Sequence, residues 1–337
     1  MEVQGRNAAR RGERLGRVGL VLLGVLLALA VLELGLRVAA GWVGPRAGPL
    51  AWGRETVLTL GDSHTYGVFF PAGQSYPARL AARLDARSAG GFRVVNLGLP
   101  GTNSSEVATR LPAWLDAHAP RHVVLCVGVN NIWNRSDAGR VGGEPARVAF
   151  WERLRVVRLA RLLQLRFADD PDPDPDTARP ELERSVIGRG DVAVEFRDRE
   201  TGELVIRHEG NFRAKRSQSE ALSLLRRDLA HVHALLEARG VQLVLLTYAE
   251  HPVEGRMSAA QRNHAEVNRV LRGFAAERDL ALVDSAPRIR ARLAAGAATV
   301  DYFHPDGFHP TPAGYDAIAE AVAELLAGEG ADPAEAP

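Results

Sequence analysis

Residues 57–67 read V-L-T-L-G-D-S-H-T-Y-G, an apolar run that breaks at Gly61 and presents Asp62, Ser63 and His64. A β-branched and leucine-rich segment ending in glycine and a small polar residue reads as a buried parallel strand with a reactive side chain at its C-terminal edge. Ser63 is therefore the candidate nucleophile. Serine at its free pKa is a poor nucleophile, so this role requires a base, a group that orients the base and an oxyanion site elsewhere in the chain. Asp62 and His64, beside the serine, read as structural residues that hold the turn.

Beyond this stretch, apolar runs alternate with amphipathic periods. Residues 57–60, 93–97, 122–127, 241–247 and 280–283 read as strands, and 76–87, 105–118, 220–239, 259–278 and 313–327 as helices. Five strands with intervening helices predict an α/β fold, a three-layer α/β/α sandwich around a five-stranded parallel sheet, with the site at the C-terminal ends of the strands. Residues 54–328 form this domain, and 329–337 a short tail. A long insertion, 132–219, separates the third and fourth strands. Within it, 148–167 sets Trp151, Leu154, Val157, Leu162 and Leu165 against Arg153, Arg155, Arg158, Arg161 and Arg166. Such a basic amphipathic helix either rests on an anionic membrane surface or, the more ordinary arrangement, packs on its own domain with arginines in solvent. Residues 169–180 alternate Asp and Pro as an extended linker, and 192–196 with 204–206 flank Glu200-Thr201-Gly202 as a β-hairpin. The insertion's position makes it a candidate lid or acceptor platform.

A chain of 337 residues accommodates one sizeable α/β domain with an added segment. Its 42 basic and 41 acidic residues balance, so the total charge does not suggest a nucleic-acid partner. The single cysteine, Cys126, excludes an internal disulfide framework and reads as a buried core thiol.

The N-terminal region has a different character. Residues 1–17 form a basic tail with Arg6, Arg10, Arg11, Arg14 and Arg17 against Glu2 and Glu13, and residues 18–32 carry no charge. Fifteen residues at about 1.5 Å each cover about 22 Å, short of the roughly 30 Å hydrocarbon core, so a span must continue past Glu33 toward Trp42. Residues 18–43 thus read as a transmembrane anchor or signal segment. The basic flank orients the N-terminus to the cytoplasm and the domain outside. Cleavage near Ala28-Leu29-Ala30 is the rival; the apolar character that resumes beyond this point favours the uncleaved anchor.

Near the C-terminus, residues 301–315 read D-Y-F-H-P-D-G-F-H-P-T-P-A-G-Y. Asp306 and His309 lie three residues apart just ahead of the final helix, close enough for the carboxylate to hold the imidazole tautomer while the other ring nitrogen faces a serine. Asp301 and His304 repeat the spacing. The Asp306 and His309 pair is preferred because Pro-Thr-Pro and a helix follow it as a firm mounting. Metal binding by the two histidines and two aspartates is a weaker reading, since no compact ligand motif is present.

With these pieces the chain resembles the SGNH, or GDSL-type, hydrolase family over most of residues 57–326. Gly61-Asp62-Ser63 matches the family's G-D-S. Val95-Asn96-Leu97-Gly98-Leu99-Pro100-Gly101 holds the glycine after the second strand, Gly128-Val129-Asn130-Asn131 matches the G-x-N-D after the third, and Asp306-Gly307-Phe308-His309 matches the D-x-x-H. Asn131 replaces the usual aspartate, a departure that leaves the neighbouring donor in place. The resemblance implies Ser63, His309 and Asp306 as catalytic residues, and the Ser63 N–H, the Gly101 N–H and the Asn130 side chain as oxyanion donors. It also implies a serine esterase acting on an acyl ester; with the N-terminal anchor read above it would act outside the cytoplasmic membrane, where an envelope glycan or lipid is a candidate substrate. An O-acyltransferase that delivers the acyl group to a sugar hydroxyl is the alternative within the family. A surface binding protein that keeps the fold without catalysis is the alternative outside it. No cofactor or phosphate-binding glycine motif is present.

Overall fold

In a computed structural model of the chain, the described residues are 55–88, 91–136, 182–187, 193–198, 201–209, 215–252 and 257–328, with Leu20, Gly24, Ala28, Val31, Leu34 and Gly35. The chain divides into two units, Met1–Gly53 with Ala146–Asp170, and Arg54–Pro145 with Pro171–Pro337. Of the first, only the six isolated residues just named are described; they are helical and exposed. The anchor segment, the basic helix at 148–167, the linker at 169–180 and the C-terminal tail otherwise lie outside the described residues. Among the described residues no helix is long and apolar enough to cross a membrane.

The second unit is an α/β sandwich. Its strands are β1 (Glu55–Gly61), β2 (Phe92–Asn96), β3 (His122–Cys126), β7 (Gln242–Leu246) and β8 (Ala281–Val283). They pair in the order β2-β1-β3-β7-β8, all parallel. Parallel strands covered on both faces read as near-continuous apolar runs, which is why every residue of H-V-V-L-C in β3 is buried. Helices α2 (Tyr76–Ser88), α6 (Ser285–Ala294) and α8 (Pro312–Gly328) pack together as one layer, and α3 (Ser104–His118), α4 (Gln218–Arg239) and α5 (Ala259–Arg278) as the other. The starts of α3, α4 and α5 are capping boxes, Asn103 with Glu106, Ser217 with Glu220 and Ser258 with Gln261. Each satisfies two otherwise orphaned amides.

The five strands and five long helices fall where the apolar periods place them, within two residues at each end. Helix α6 does not stand out in the sequence. Its S-A-P-R-I-R-A-R-L-A holds three arginines and a proline, but Pro287 lies in the first turn, where its missing N–H costs nothing, and the Asp284 side chain caps the start. Among the described residues, two short α-helices, α1 (Ser63–Tyr66) and α7 (Thr299–Tyr302), complete the set.

The insertion contains more strand than a hairpin. β4 (Leu182–Ile187), β5 (Ala193–Asp198) and β6 (Leu204–Glu209) form an antiparallel three-stranded sheet. The L-E-R-S-V-I of β4 carries charges where a clean alternation would be apolar, which masks it as a strand.

Leu125 lies on β3, the middle strand of the sheet, and is fully buried. Leu125→Ala should lower the unfolding free energy by about 2–5 kcal/mol, the usual cost of opening a cavity at such a position, as read by urea denaturation.

Candidate active site

Strand β1 ends at Gly61, and Asp62 starts helix α1 by accepting the His64 N–H at 3.0 Å. Gly61 is required by close approach: a Cβ there would lie 2.2 Å from the Cys126 carbonyl oxygen and 2.3 Å from Thr65 Oγ1. Ser63 is the first residue of α1, so its N–H has no intrahelical partner. The loop after β2 runs on alongside β1, with Leu97 N–H to the Thr59 carbonyl and Leu99 N–H to the Gly61 carbonyl, both at 3.0 Å. This ladder delivers Gly101 to the same sheet edge as Ser63.

The histidine comes from the loop before α8. A bridge between Phe303 and Pro310 and a hydrogen bond from His304 N–H to the His309 carbonyl at 2.9 Å close this loop, with Gly307 at φ 75° in its turn. His309 Nε2 lies 2.8 Å from Ser63 Oγ, and His309 Nδ1 lies 2.6 Å from Asp306 Oδ2. Asp306 Oδ1 accepts the Phe308 and His309 backbone N–H groups at 2.9 and 3.1 Å. Partial burial alone would raise the Asp306 carboxyl. The His309 hydrogen bond and charge, with the two amides, outweigh it and hold the carboxyl down to about 2. The His309 ring is stacked on His64, 4.4 Å between centroids, and meets Phe69 edge-on at 5.3 Å.

The second Asp/His pair is not brought together. Asp301 caps α7 by accepting the Ala298 N–H, while the His304 ring lies flat on Phe69 at 4.1 Å. Among the described residues no group of three or more His, Cys, Asp or Glu side chains is arranged to hold a metal ion.

Asn130 follows β3 in a 3₁₀ turn, Val129–Ile132. Its Nδ2 donates to Asp62 Oδ2 at 3.2 Å and to the Thr102 carbonyl at 3.1 Å, while its Oδ1 accepts the Trp133 indole N–H at 2.8 Å. Asp62 Oδ2 also accepts the Tyr248 hydroxyl at 2.7 Å. Asp62 therefore does more than hold its own turn: it ties the serine turn to the loops after β3 and β7. Burial pushes its carboxyl up to about 6, against the lowering by the Tyr248 hydroxyl and the His64 amide. Gly101 stands at φ 75°, and among the described residues its N–H has no acceptor.

Two side chains at the site were not legible in the sequence. Tyr248, just past β7, and His264, on α5, both pack against His64, with ring centroids 4.8 and 5.5 Å away. His264 Nε2 lies 3.5 Å from His64 Nε2. Burial pushes both imidazoles down, and the nearby His309 charge adds to this. Neither residue lies in a motif. The only signal was the buried polar position of Tyr248 at the end of an apolar strand. Cys126 is buried at the end of β3, as its apolar surroundings suggested.

The sequence profile of the GDSL-like Lipase/Acylhydrolase family matches residues 59–317. The chain belongs to this family. The GDSL-like match thus runs from within β1 to the start of α8 and makes the protein an enzyme of the hydrolase class. A segment of 77 residues is 35% identical to Thioesterase 1/protease 1/lysophospholipase L1 of Escherichia coli K12, covering 23% of this chain. The matched segment spans 35% of that relative's length. Among solved structures, an acetylxylan esterase from Geobacillus stearothermophilus, Axe2, superposes with a TM-score of 0.46 at 18% identity, over 84% of this chain and 98% of that one. A lipolytic G-D-S-L family member from Veillonella parvula DSM 2008 gives 0.45 at 15% identity, over 81% and 98%.

Asn131, where the GDSL-like pattern has aspartate, is fully buried. Its Oδ1 accepts the Ser104 N–H at 2.9 Å, and its Nδ2 donates to Ser104 Oγ at 2.8 Å and to the Ala221 carbonyl at 3.3 Å. Ser104 Oγ in turn donates to Asp228 at 2.6 Å. A carboxylate at 131 would face the Ala221 carbonyl without a proton to give and would add a second buried negative charge beside Asp228. Asn131→Asp, although it restores the family residue, should therefore destabilise the fold by about 1–3 kcal/mol at neutral pH, with the loss shrinking on acidification, as thermal melting across pH will show.

Proposed function

We propose that the protein is a serine esterase working through an acyl-enzyme, with Ser63 as nucleophile, His309 as general base and then acid, and Asp306 as the group that orients and stabilises the imidazole. The observation that carries this reading is the continuous relay of Ser63 Oγ, the His309 ring and the Asp306 carboxylate at 2.8 and 2.6 Å. Nδ1 faces a carboxylate, which accepts only, so the neutral ring keeps its proton there and leaves Nε2 free to take the serine proton. The hydroxyl then adds to the ester carbonyl. His309 returns the proton to the leaving alcohol, and water repeats the cycle on the acyl group.

The oxyanion would lie among the Ser63 N–H, the Gly101 N–H and the Asn130 amide. Asn130 already spends both amide hydrogens on Asp62 and Thr102, so an arriving oxyanion competes with those acceptors rather than meeting a free donor. A cleft of about 320 Å³ lined by Glu250, His251, Met257, His264, Gly307 and Phe308 runs from the histidine loop and offers room for one side of the ester.

The location proposed is the outer side of the cytoplasmic membrane, with an N-terminal anchor. Its support is the arginine cluster before residue 18 and the uncharged stretch that follows. There an acyl ester of an envelope glycan or lipid is the substrate class within reach.

Purified protein should release acetate from 4-nitrophenyl acetate and label at Ser63 with a fluorophosphonate. Ser63→Ala should abolish both, and an unlabelled but folded wild type would make this a binding protein instead. Running the same assay with and without an oligosaccharide acceptor bearing free hydroxyls separates hydrolysis from acyl transfer, since transfer diverts acetyl groups from water to sugar. Asp306→Asn should cut kcat by roughly 10²- to 10⁴-fold through the wrong tautomer. The ionised Asp306 carboxyl stabilises the fold above its ordinary 3.8, and that contribution is lost as pH falls toward about 2, so Asp306→Asn should flatten acid unfolding in this window.

A further inference from the structure

Behind Gly101 lies a buried polar cluster that joins the inserted sheet to the parallel domain. His208 on β6 is fully buried, as are Asn103 and Asn134, and Glu106 is 2% exposed. His208 Nε2 lies 2.8 Å from the Pro100 carbonyl oxygen, and Nδ1 lies 2.7 Å from Glu106 Oε1. Asn134 Nδ2 donates to the Gly101 carbonyl at 2.8 Å and to Glu106 Oε2 at 2.8 Å, and approaches His208 Nδ1 at 3.3 Å. Asn134 Oδ1 accepts the Ser136 N–H at 2.9 Å, which sets which end of the amide is nitrogen. Glu106, at the start of α3, also accepts the Asn103 N–H at 3.2 Å. Both carbonyls flanking Gly101 are thus pinned, one by a histidine of the insertion and one by an asparagine, and Glu106 holds both pins.

The Pro100 carbonyl and the Gly101 N–H belong to one peptide unit. No peptide bond among the described residues is cis, and in a trans unit the C=O and N–H point in opposite directions. A carbonyl oxygen only accepts, so His208 carries a proton on Nε2 and donates it to Pro100. That hydrogen bond fixes the plane of the unit and leaves the Gly101 N–H facing away from β6. Glycine gives little resistance of its own to rotation of this unit, because it populates both signs of φ. The sheet also closes the space behind it. A Cβ on Gly101 would lie 2.7 Å from Phe196 Cε2 and 3.1 Å from His208 Nε2.

We propose that His208 is a positioning residue for the oxyanion hole, so that the inserted sheet, far from being only a cover, aims one of the donors that stabilise the transition state. The inference rests on the reading of Gly101 as an oxyanion donor made above. Oxyanion stabilisation depends on donors fixed before the charge develops. A donor free to swing away loses part of its effect without any loss of substrate contact, so the loss falls on kcat.

Two substitutions separate the ring's two contacts. His208→Asn keeps an amide near the Nδ1 position, facing Glu106, but does not reach Pro100. His208→Gln reaches the Nε2 position and can still donate to the Pro100 carbonyl. With 4-nitrophenyl acetate, His208→Asn should lower kcat by about 10- to 100-fold with KM within about twofold, and its affinity for a trifluoromethyl ketone, which forms a tetrahedral adduct, should fall in parallel. His208→Gln should recover most of both. A folded His208→Asn with wild-type kcat overturns the proposal, as does an equal loss in both variants, which marks a packing role. Should neither variant fold, 15N-histidine spectra of the wild type decide: an unprotonated His208 Nε2 overturns it, and a protonated one shielded from exchange supports it. Ser63→Ala and Asn130→Ala run alongside keep the two readings apart. If these are inactive while His208→Asn is not impaired, only the present inference fails. If Ser63→Ala keeps its activity, the esterase reading fails and this one with it.

Discussion

Ser63 and His309 are 246 residues apart in sequence and 2.8 Å apart in space, and the constraint that allows this is the parallel pairing of the sheet. In a parallel sheet every strand ends at the same edge, so the loops after β1, β2, β3 and β7 must all emerge together. Ser63 follows β1, Gly101 follows β2, Asn130 follows β3 and Tyr248 follows β7. Only the histidine loop reaches the edge differently, from the segment ahead of α8, and it is the loop that supplies its own rigidity through a local bridge and a glycine turn. Any register slip between β1 and β3 would separate the serine turn from Asn130; their pairing is buried along its length and apolar except for Thr59 and His122.

Behind this edge the loops are joined by polar groups rather than by apolar packing. Asp62 links Asn130 and Tyr248; Asn131 links Ser104 to the Ala221 carbonyl; Glu106 links Asn134 and His208. Buried polar groups are tolerated only when satisfied, and a satisfied network admits far fewer arrangements than a greasy contact of equal area. The consequence for the site is directional. Asn130 and His309 are each held from behind, the one by Asp62 and the Thr102 carbonyl, the other by Asp306.

The fold was legible because it depends on local patterns. β3 is a mostly apolar buried run, and α4 and α5 carry helical periods along their whole length, whereas the order of the strands in the sheet was not read from the sequence. The serine, the histidine and their carboxylate were legible for a different reason: each lies in a short motif whose spacing has a mechanical meaning. His208 and Glu106 were not, although both are among the most buried polar groups near the site. Glu106 reads as an ordinary capping-box residue, and His208 as one polar position in a charged strand, L-V-I-R-H-E. Their contact joins residues 102 positions apart across an insertion, and no periodicity encodes such a meeting. Asn131 shows the converse case. Its departure from the family pattern was visible, but only the surrounding acceptors explain why an amide is suited there.

The two carboxylates nearest the serine are driven in opposite directions, Asp306 down to about 2 and Asp62 up to about 6. What each one faces decides the sign. Asp306 is partly open and meets the His309 imidazole N–H, with two backbone amides besides. Asp62 is wholly buried, and the hydroxyl and the amides that meet it are all neutral. Desolvation then prevails over hydrogen bonding for Asp62 and yields to it for Asp306. In the proposed mechanism Asp306 is therefore ionised throughout the neutral range and sets no limit of its own there. Asp62 is different. Its charge attracts the Asn130 amide and the Tyr248 hydroxyl, and protonation near pH 6 weakens both contacts at once. The carboxylate tied to Asn130 is thus raised and the one tied to His309 lowered, so acid reaches the two contacts at different pH.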